Sequence, residues 1–250
     1  MLKFRNNPGK SKVSIVIPVY NEEKRVGKAL DKIKEFFLSS PDIDLELIIV
    51  NDGSKDRTLE IIQEKGQEIS CLKLINSPVN EGKGISIRKG VIASSGDYIF
   101  FFDVDFSTPL EEIKRCLPLF KEADVIIGSR YVDGASIEKK QPFYRIWGSR
   151  VFNFVVQLLL LPGIKDTQCG FKGFQSKAAK EIFSSITLAG YAFDVEVLLL
   201  AYNKGFKIKE VGIKWSDDAY TKIKLWRDPP RMFWDILKLW LKHLISLKRM

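Results

Sequence analysis

The chain has 250 residues, of which 45% are hydrophobic, so it is long enough to form one domain with a substantial core. Its net charge is +9, its three cysteines have no CxxC spacing and its only histidine is His243, which excludes a disulfide framework, a zinc cluster and most His-based catalytic triads. We therefore expect chemistry that uses carboxylates, cations and a metal, in a reducing, cytoplasmic setting.

The first half of the chain alternates β-rich apolar runs with segments of helical periodicity. This alternation predicts an α/β fold, in which a mostly parallel central sheet is covered by helices on both faces. The predicted strands are residues 13–19, 45–50, 72–75, 98–102 and 124–130, and the predicted helices are residues 26–38, 54–62 and 84–93.

Four successive strands are followed by polar or glycine-rich segments. Ligands of parallel sheets bind at the carboxyl ends of the strands, so these segments are expected to share one site. No GK[ST] ending and no GxGxxG fingerprint occurs, which disfavours an ATPase or a dehydrogenase. The four segments are residues 20–22, 51–54, 80–84 and 103–105.

An acidic pair follows the apolar run that ends at Phe102. Asp103 and Asp105 are two residues apart, and such side chains share one face of a strand. Both carboxylates are therefore predicted to point toward one ligand. Hard divalent cations prefer such oxygen ligands, so the pair is predicted to hold a metal and, through it, a diphosphate.

The second half of the chain adds cations and further acids. The predicted strand at 124–130 ends in Arg130, and Arg145 and Ser149 follow it. A helical segment farther along contains Asp194 and Glu196 among apolar neighbours. For these two acids, a functional role, a solvated helix face and a structural pair are all open.

Positive charge is concentrated near the C-terminus. Residues 201–250 hold 12 Lys+Arg and 5 Asp+Glu, a surplus of 7, so only +2 remains for the first 200 residues. Tryptophans accompany these cations, which suits an anionic membrane surface or a phosphorylated lipid. Nucleic acid is the less favoured partner for this basic segment.

Apolar residues recur at helical spacing between Phe233 and Leu244. Two interpretations of this amphipathic helix stay open: it packs on its own domain or a dimer partner, or it lies in the plane of a membrane surface. We therefore divide the chain into a catalytic domain, 1–212, and a basic, Trp-rich segment, 213–250. No apolar run reaches the roughly 20 residues that span a bilayer, so we expect a peripheral protein without a transmembrane helix or signal peptide.

Five short motifs occur at the predicted strand ends. They are IVIPVYNE at 15–22, NDGSKD at 51–56, NEGKG at 80–84, DVD at 103–105 and GSR at 128–130. Their order resembles family 2 glycosyltransferases with the GT-A fold. The later segments 166–172 and 193–196 are similar to the polyprenyl-phosphate branch of that family, above all to dolichyl-phosphate β-glucosyltransferases, with dolichyl-phosphate mannosyltransferases next.

The resemblance implies roles for individual residues. Asp103 and Asp105 would bind Mg²⁺ or Mn²⁺ and, with Arg130, would carry the catalysis. Lys83 is either a diphosphate contact or a plain surface lysine, and Arg145 is either an acceptor contact or a surface arginine. The implied nucleotide-binding residues are Pro18, Tyr20, Glu22, Asp52, Lys83 and Asp103; the acceptor-phosphate residues are Arg130, Arg145, Ser149, Lys222 and Arg227; further sugar-site candidates are Gln168, Gly170, Phe171, Lys172, Asp194 and Glu196.

An enzyme of this branch would move a hexose, with glucose favoured, from UDP-glucose to dolichyl or another polyprenyl phosphate at the cytoplasmic face of a membrane. The product would be a β-linked lipid phosphosugar. A phosphate acceptor is already anionic, with a second pKa of about 6, so it needs no general base.

Three alternatives to this function stay open. They are mannose transfer from GDP-mannose, transfer to a soluble or polysaccharide acceptor with Glu196 as base, and a non-enzymatic basic protein that binds membrane or nucleic acid. The oligomeric state is also open, a homo-oligomer included.

Overall fold

A computed structural model describes residues 10–139, 141–218 and 227–247, with side chains described as far as residue 245. The strands are β1 Lys12–Val19, β2 Asp44–Asp52, β3 Leu72–Ser77, β4 Tyr98–Phe101, β5 Val125–Ser129, β6 Ser136–Lys139, β7 Lys172–Gln175, β8 Ile208–Gly212 and β9 Lys214–Ser216. The helices are α1 Val26–Leu38, α2 Thr58–Gly66, α3 Lys83–Ala93, α4 Glu112–Cys116, α5 Phe143–Leu159, α6 Ser176–Phe183, α7 Phe193–Asn203 and α8 Asp228–Leu247, and a 3₁₀ helix covers Leu117–Lys121.

Seven strands form one sheet, in the order β3-β2-β1-β4-β7-β5-β8. β7 is antiparallel to both of its neighbours, and the other pairs of this sheet are parallel. β6 and β9 form a separate parallel pair. The predicted mostly parallel α/β sheet is confirmed, and the carboxyl ends of the adjacent strands β2, β1 and β4 lie at one edge.

Helices cover both faces of the sheet because its strands are apolar on both sides. Val13, Ile15 and Ile17 of β1 belong to one buried cluster, which also contains side chains of α1 and α2. Val16, which points the other way, belongs to a second cluster with side chains of α3, α5, α6, α7 and α8. Strands buried on both faces are near-continuous apolar runs, which explains why the sequence showed them clearly.

The sequence placed the end of β4 one residue too late. The strand ends at Phe101, so Asp103 and Asp105 lie in the turn that follows rather than on a strand face. The N–H of Phe106 donates to the carbonyl of Asp103 at 3.1 Å, and Phe106 has a φ of 47°. The two acids are therefore close because the chain turns, not because of strand periodicity.

β7 was not predicted, since its four residues, Lys-Gly-Phe-Gln, contain no apolar run. Its place between β4 and β5 depends on a glycine. A Cβ on Gly173 would lie 2.4 Å from Cε1 of Phe100, so only glycine lets the two strands pair at this point.

α8 packs one side on the second cluster, where Met232, Ile236 and Leu239 are buried. Of the predicted apolar face, Ile236 is buried in this cluster and Trp240 packs against it, whereas four members are exposed. Among the described residues, no helix has the length and hydropathy required to cross a bilayer. The division at residue 212 stays a prediction. The exposed members are Phe233, Leu237, Leu241 and Leu244.

Candidate active site

The loop between β3 and α3 is held by a buried carboxylate at the end of β2. Asp52, 3% exposed, accepts hydrogen bonds from the backbone N–H groups of Glu81 at 2.8 Å and Gly82 at 2.9 Å. The side-chain amide of Asn80 donates to the same carboxylate at 2.9 Å. These bonds fix the backbone that carries Lys83, the first residue of α3. Contact of Asp52 with a nucleotide base stays a prediction.

Glu196 holds a second loop against the start of α3. Its carboxylate accepts hydrogen bonds from the N–H and hydroxyl of Thr187, at 2.9 and 2.7 Å, and from the N–H of Leu188 at 2.7 Å. The next residue, Ala189, accepts a bond from the N–H of Gly84 at 2.9 Å. Glu196 is 5% exposed, so this arrangement gives it a structural role and no support as a general base.

Lys83 and Asp103 form an ion pair at the carboxyl end of the sheet. The ammonium of Lys83 lies 2.6 Å from Oδ1 of Asp103, and both side chains are partly exposed. Burial alone would lower the pKa of Lys83, but the charges of Asp103 and Asp194 outweigh it and raise that pKa. Lys83 is therefore a cation that the fold directs to Asp103, and not a plain surface lysine.

Asp105 completes the acidic pair. Burial and the neighbouring charge of Asp103 raise the pKa of Asp105, against a bond from the N–H of Ser107 at 2.9 Å and the charge of Arg25. The close pair gains from a cation, which removes the repulsion between its two charges.

The acidic pair fits a divalent cation that is shared with a diphosphate. Within the described part of the chain, no group of three or more His, Cys, Asp or Glu side chains could hold an ion by itself. Two carboxylates with phosphate oxygens are, however, a usual ligand set for Mg²⁺. The contact between the ammonium of Lys83 and the carboxylate of Asp103 shows that a cation fits at this site.

Arg25 was missed by the sequence analysis. Its guanidinium donates to both carboxylate oxygens of Glu22, at 2.6 and 2.7 Å, and to Asp218 at 3.1 Å, and its charge acts on Asp105. Its position three residues after Glu22 is the only sequence signal for the pair, and nothing in the sequence indicates Asp218. Arg25 thus ties the end of β1 to the segment after β9, beside the acidic pair.

A buried ion pair lies behind this cluster. Lys172 is fully buried, and its ammonium lies 2.5 Å from Oδ1 of Asp194 and 2.7 Å from the carbonyl of Cys169. Burial raises the pKa of Asp194 in spite of the opposing charges of Lys172 and Lys83. Phe171 is fully buried as well and stacks on Phe100 at 5.7 Å. The side chains of Phe171 and Lys172 are therefore core groups and offer no surface to a sugar.

Arg130 forms a buried, bidentate ion pair with Asp166. Nε and Nη2 of Arg130 donate to the Asp166 carboxylate at 2.7 and 2.9 Å, and the backbone N–H of Arg130 adds a bond of 3.0 Å. The guanidinium also lies 5.3 Å from the ring of Trp215. The ion pair uses two of the five N–H groups of the guanidinium. Arg130 is thus oriented by Asp166, and three of its five guanidinium N–H groups lie outside this ion pair.

Ser149 lies next to this pair through Tyr131. The hydroxyl of Tyr131 donates to Oγ of Ser149 at 3.2 Å, and the guanidinium of Arg150 lies 3.9 Å from the Tyr131 ring. Arg145, one turn before Ser149 on α5, is half-buried beside Tyr144. The fold therefore brings Ser149 of α5 next to Tyr131, the residue after Arg130, while Arg145 lies one turn earlier on the same helix.

The other predicted residues are spread over the site and beyond it. Pro18 and Tyr20 lie at the end of β1 and are half-buried, as is Gln168. Arg227 pairs with Asp228 at 2.9 Å, and Lys222 lies outside the described residues. Binding roles for these residues stay predictions.

Gly170 lies directly against the carboxylate of Asp103. A Cβ at Gly170 would lie 2.3 Å from Oδ2 of Asp103, so Gly170→Ala must displace that carboxylate. The side chain of Asp103 is partly exposed and can rotate, so we expect a stability change within about 1 kcal/mol. Metal-dependent UDP affinity, measured by calorimetry, should fall by about tenfold to a hundredfold. Gly190→Ala, which meets no atom within 4 Å, is the control; equal UDP affinity in both variants contradicts the prediction.

Solved structures show the fold class. The crystal structure of glucosyl-3-phosphoglycerate synthase from Mycobacterium tuberculosis, in complex with Mn²⁺, UDP and glucosyl-3-phosphoglycerate, matches with a TM-score of 0.66 and 17% sequence identity. The match covers 89% of this chain and 77% of that one. The protein has the GT-A fold of glycosyltransferases.

Sequence relatives narrow the assignment. The profile of the family described as "Glycosyl transferase family 2" matches residues 14–183. A dolichyl-phosphate beta-glucosyltransferase of Trichomonas vaginalis is 32% identical over 231 residues, which cover 88% of this chain and 68% of the relative. The dolichyl-phosphate beta-glucosyltransferase of Homo sapiens is 31% identical over 252 residues, which cover 95% and 78%. The chain belongs to glycosyl transferase family 2.

Proposed function

We propose that the protein transfers glucose from UDP-glucose to dolichyl or another polyprenyl phosphate, with inversion at the anomeric carbon, at the cytoplasmic face of a membrane. The names of the relatives support the acceptor and the sugar. The observation that supports the proposal is the hydrogen bond from Tyr131, the residue after Arg130, to Ser149 on α5, the helix that also carries Arg145. Cationic and hydroxyl groups suit a phosphate. The acids of α7 are bound to other groups, Asp194 to Lys172 and Glu196 to Thr187.

The donor side suits a nucleoside diphosphate sugar. Asp103 and Asp105 would hold Mg²⁺ or Mn²⁺, and the ammonium of Lys83 lies within 2.6 Å of the same carboxylate. When bound, the metal supplies positive charge to the leaving diphosphate. Lys83 supplies a second positive charge at the same place, and the loop that carries it is fixed by Asp52.

The reaction needs no proton acceptor. An oxygen of the acceptor phosphate attacks the anomeric carbon and forms the new C–O bond, while the bond to the β-phosphate of UDP breaks and its electron pair leaves with UDP. The only histidine of the sequence, His243, lies on α8 with Nδ1 at 3.4 Å from the amide of Asn203. Arg130, oriented by Asp166, would hold the acceptor phosphate in line with the anomeric carbon.

We propose further that α5 and α8 contact the membrane that contains the acceptor. α5 carries an exposed apolar stripe, and the same helix carries Arg145 and Ser149. α8 lies beside α5, with the rings of Phe152 and Phe233 5.9 Å apart, and exposes apolar residues of its own. The stripe of α5 consists of Phe143, Trp147, Phe154 and Leu158.

Acidic substitutions on α5 should release the protein from vesicles. Trp147 and Phe154 are 63% and 65% exposed, so replacing both with Glu should leave folding intact. Binding to vesicles that contain anionic lipid, measured by co-sedimentation, should weaken by about tenfold or more because apolar area and net positive charge are both lost. Ile92→Glu, at an exposed residue at the end of α3, is the matched control. Unchanged binding of the double variant would remove the membrane contact from the proposal.

The function is tested by transfer of labelled sugar to dolichyl phosphate in detergent, with Mn²⁺ or Mg²⁺. UDP-glucose and GDP-mannose serve as parallel donors, and dolichol without phosphate as the control acceptor. We expect acid-labile glycolipid from UDP-glucose and dolichyl phosphate only. Product from GDP-mannose alone would establish the mannosyl alternative, and nucleotide binding without lipid product would favour a soluble acceptor.

A further inference from the structure

The side chain of Lys83 already occupies the expected cation site at the acidic pair, Asp103 and Asp105. Lys83 starts α3, and its backbone is held on two sides, by Asp52 through the preceding residues and by Ala189 through Gly84. Its ammonium reaches Asp103 at 2.6 Å and lies 5.8 Å from the centre of the Phe193 ring. A divalent cation that binds Asp103 must therefore compete with Lys83.

A second anion stabilises the positive charge of Lys83. Asp194, 4% exposed, acts on the charge of Lys83 and is itself paired with the fully buried Lys172. The four groups Asp103, Lys83, Asp194 and Lys172 carry two negative and two positive charges, and Asp105 lies beside them. A divalent cation alone that takes Asp103 would leave the ammonium of Lys83 without its nearest anion, which opposes metal binding.

We propose that the ammonium of Lys83 occupies the metal site in the ligand-free enzyme. It moves to the diphosphate when nucleotide and metal bind together. This inference rests on the proposed donor site. Metal alone must displace Lys83 from Asp103 with no new anion to receive it. Nucleotide alone would draw Lys83 away and leave Asp103 without its cation. With both present, Asp103 and Asp105 bind the metal, and the β-phosphate accepts the ammonium. Metal and nucleotide therefore strengthen each other's binding, and by linkage the factor is the same in both directions.

The test measures Mn²⁺ binding without any nucleotide, by the electron paramagnetic resonance signal of free Mn²⁺. Lys83→Met should raise Mn²⁺ affinity at least about tenfold, because a competing positive charge within a few ångströms is removed. Calorimetry with UDP should then show that the factor by which Mn²⁺ strengthens UDP binding is reduced in the variant. Lys83→Arg, which keeps the charge, should retain weak Mn²⁺ binding.

Lys89→Met is the matched control, since Lys89 lies on the same helix and pairs with Glu81 instead of the acidic pair. It should leave Mn²⁺ affinity unchanged. Equal or weaker Mn²⁺ binding by a folded Lys83→Met variant would overturn the proposal. The Mn²⁺ measurement uses neither sugar donor nor lipid, so its result stands even if the proposed transfer reaction is not found.

Discussion

Asp105→Asn is expected to reduce sugar transfer by at least about a hundredfold without loss of stability. Asp105 is half-buried beside Asp103, and both its partial burial and that neighbouring charge raise its pKa, so its carboxylate is unfavourable in the metal-free fold. An amide of the same shape removes the repulsion but also removes half of the negative charge that would bind the metal. Transfer activity should therefore fall, whereas the stability of the metal-free protein should not fall and can rise.

Both responses can be measured on one preparation. The apparent kcat/KM with UDP-glucose at saturating Mn²⁺ reports the activity, and thermal unfolding without metal reports the stability. Asp42→Asn, at an exposed acid in the turn before β2, is the control and should change neither quantity. Retained activity in Asp105→Asn would exclude Asp105 as a metal ligand, and a large fall in melting temperature would point to a structural role instead.

The sequence was sufficient for the parts of the fold that depend on local pattern. β1 and β2 are near-continuous apolar runs since both faces of the sheet are covered, and the polar residues at their ends could only lie at the carboxyl edge. β7 escaped prediction because a four-residue strand with Lys172 in it is specified by the strands on either side and by the room that Gly173 leaves.

For the ion pairs of the site, the sequence indicated some of the residues but not their contacts. Lys83 and Asp103 were both named from their motifs, but only the fold shows that they are in contact. Arg25 and Asp218 are 193 residues apart, and no local signal relates them. Phe171 and Lys172 were named as sugar-site candidates although their side chains are fully buried, because motif position does not reveal which side of the backbone faces the core.

Asp166→Asn is expected to destabilise the protein by about 3–5 kcal/mol, because it breaks a buried ion pair. The carboxylate of Asp166 is fully buried and accepts three hydrogen bonds from Arg130, two from the guanidinium and one from the backbone. Asparagine keeps the shape, but its amide carries no charge. Its NH₂ group, which replaces one carboxylate oxygen, would face an N–H donor of Arg130. The guanidinium of Arg130, 10% exposed, would then be a buried charge without its partner. Urea unfolding measures the loss.

The comparison with an exposed pair and with a double variant identifies the cause of this loss. Glu60→Gln breaks the pair of Glu60 with Arg57, whose side chains are 53% and 67% exposed, and should cost less than about 1 kcal/mol. Replacing Arg130 with Met and Asp166 with Leu together should recover much of the stability lost in Asp166→Asn, because no buried charge then remains unpaired. It should not recover transfer, since the proposed phosphate contact is gone. A double variant as unstable as Asp166→Asn would show that the loss comes from packing, and an active one would exclude Arg130 from the acceptor site.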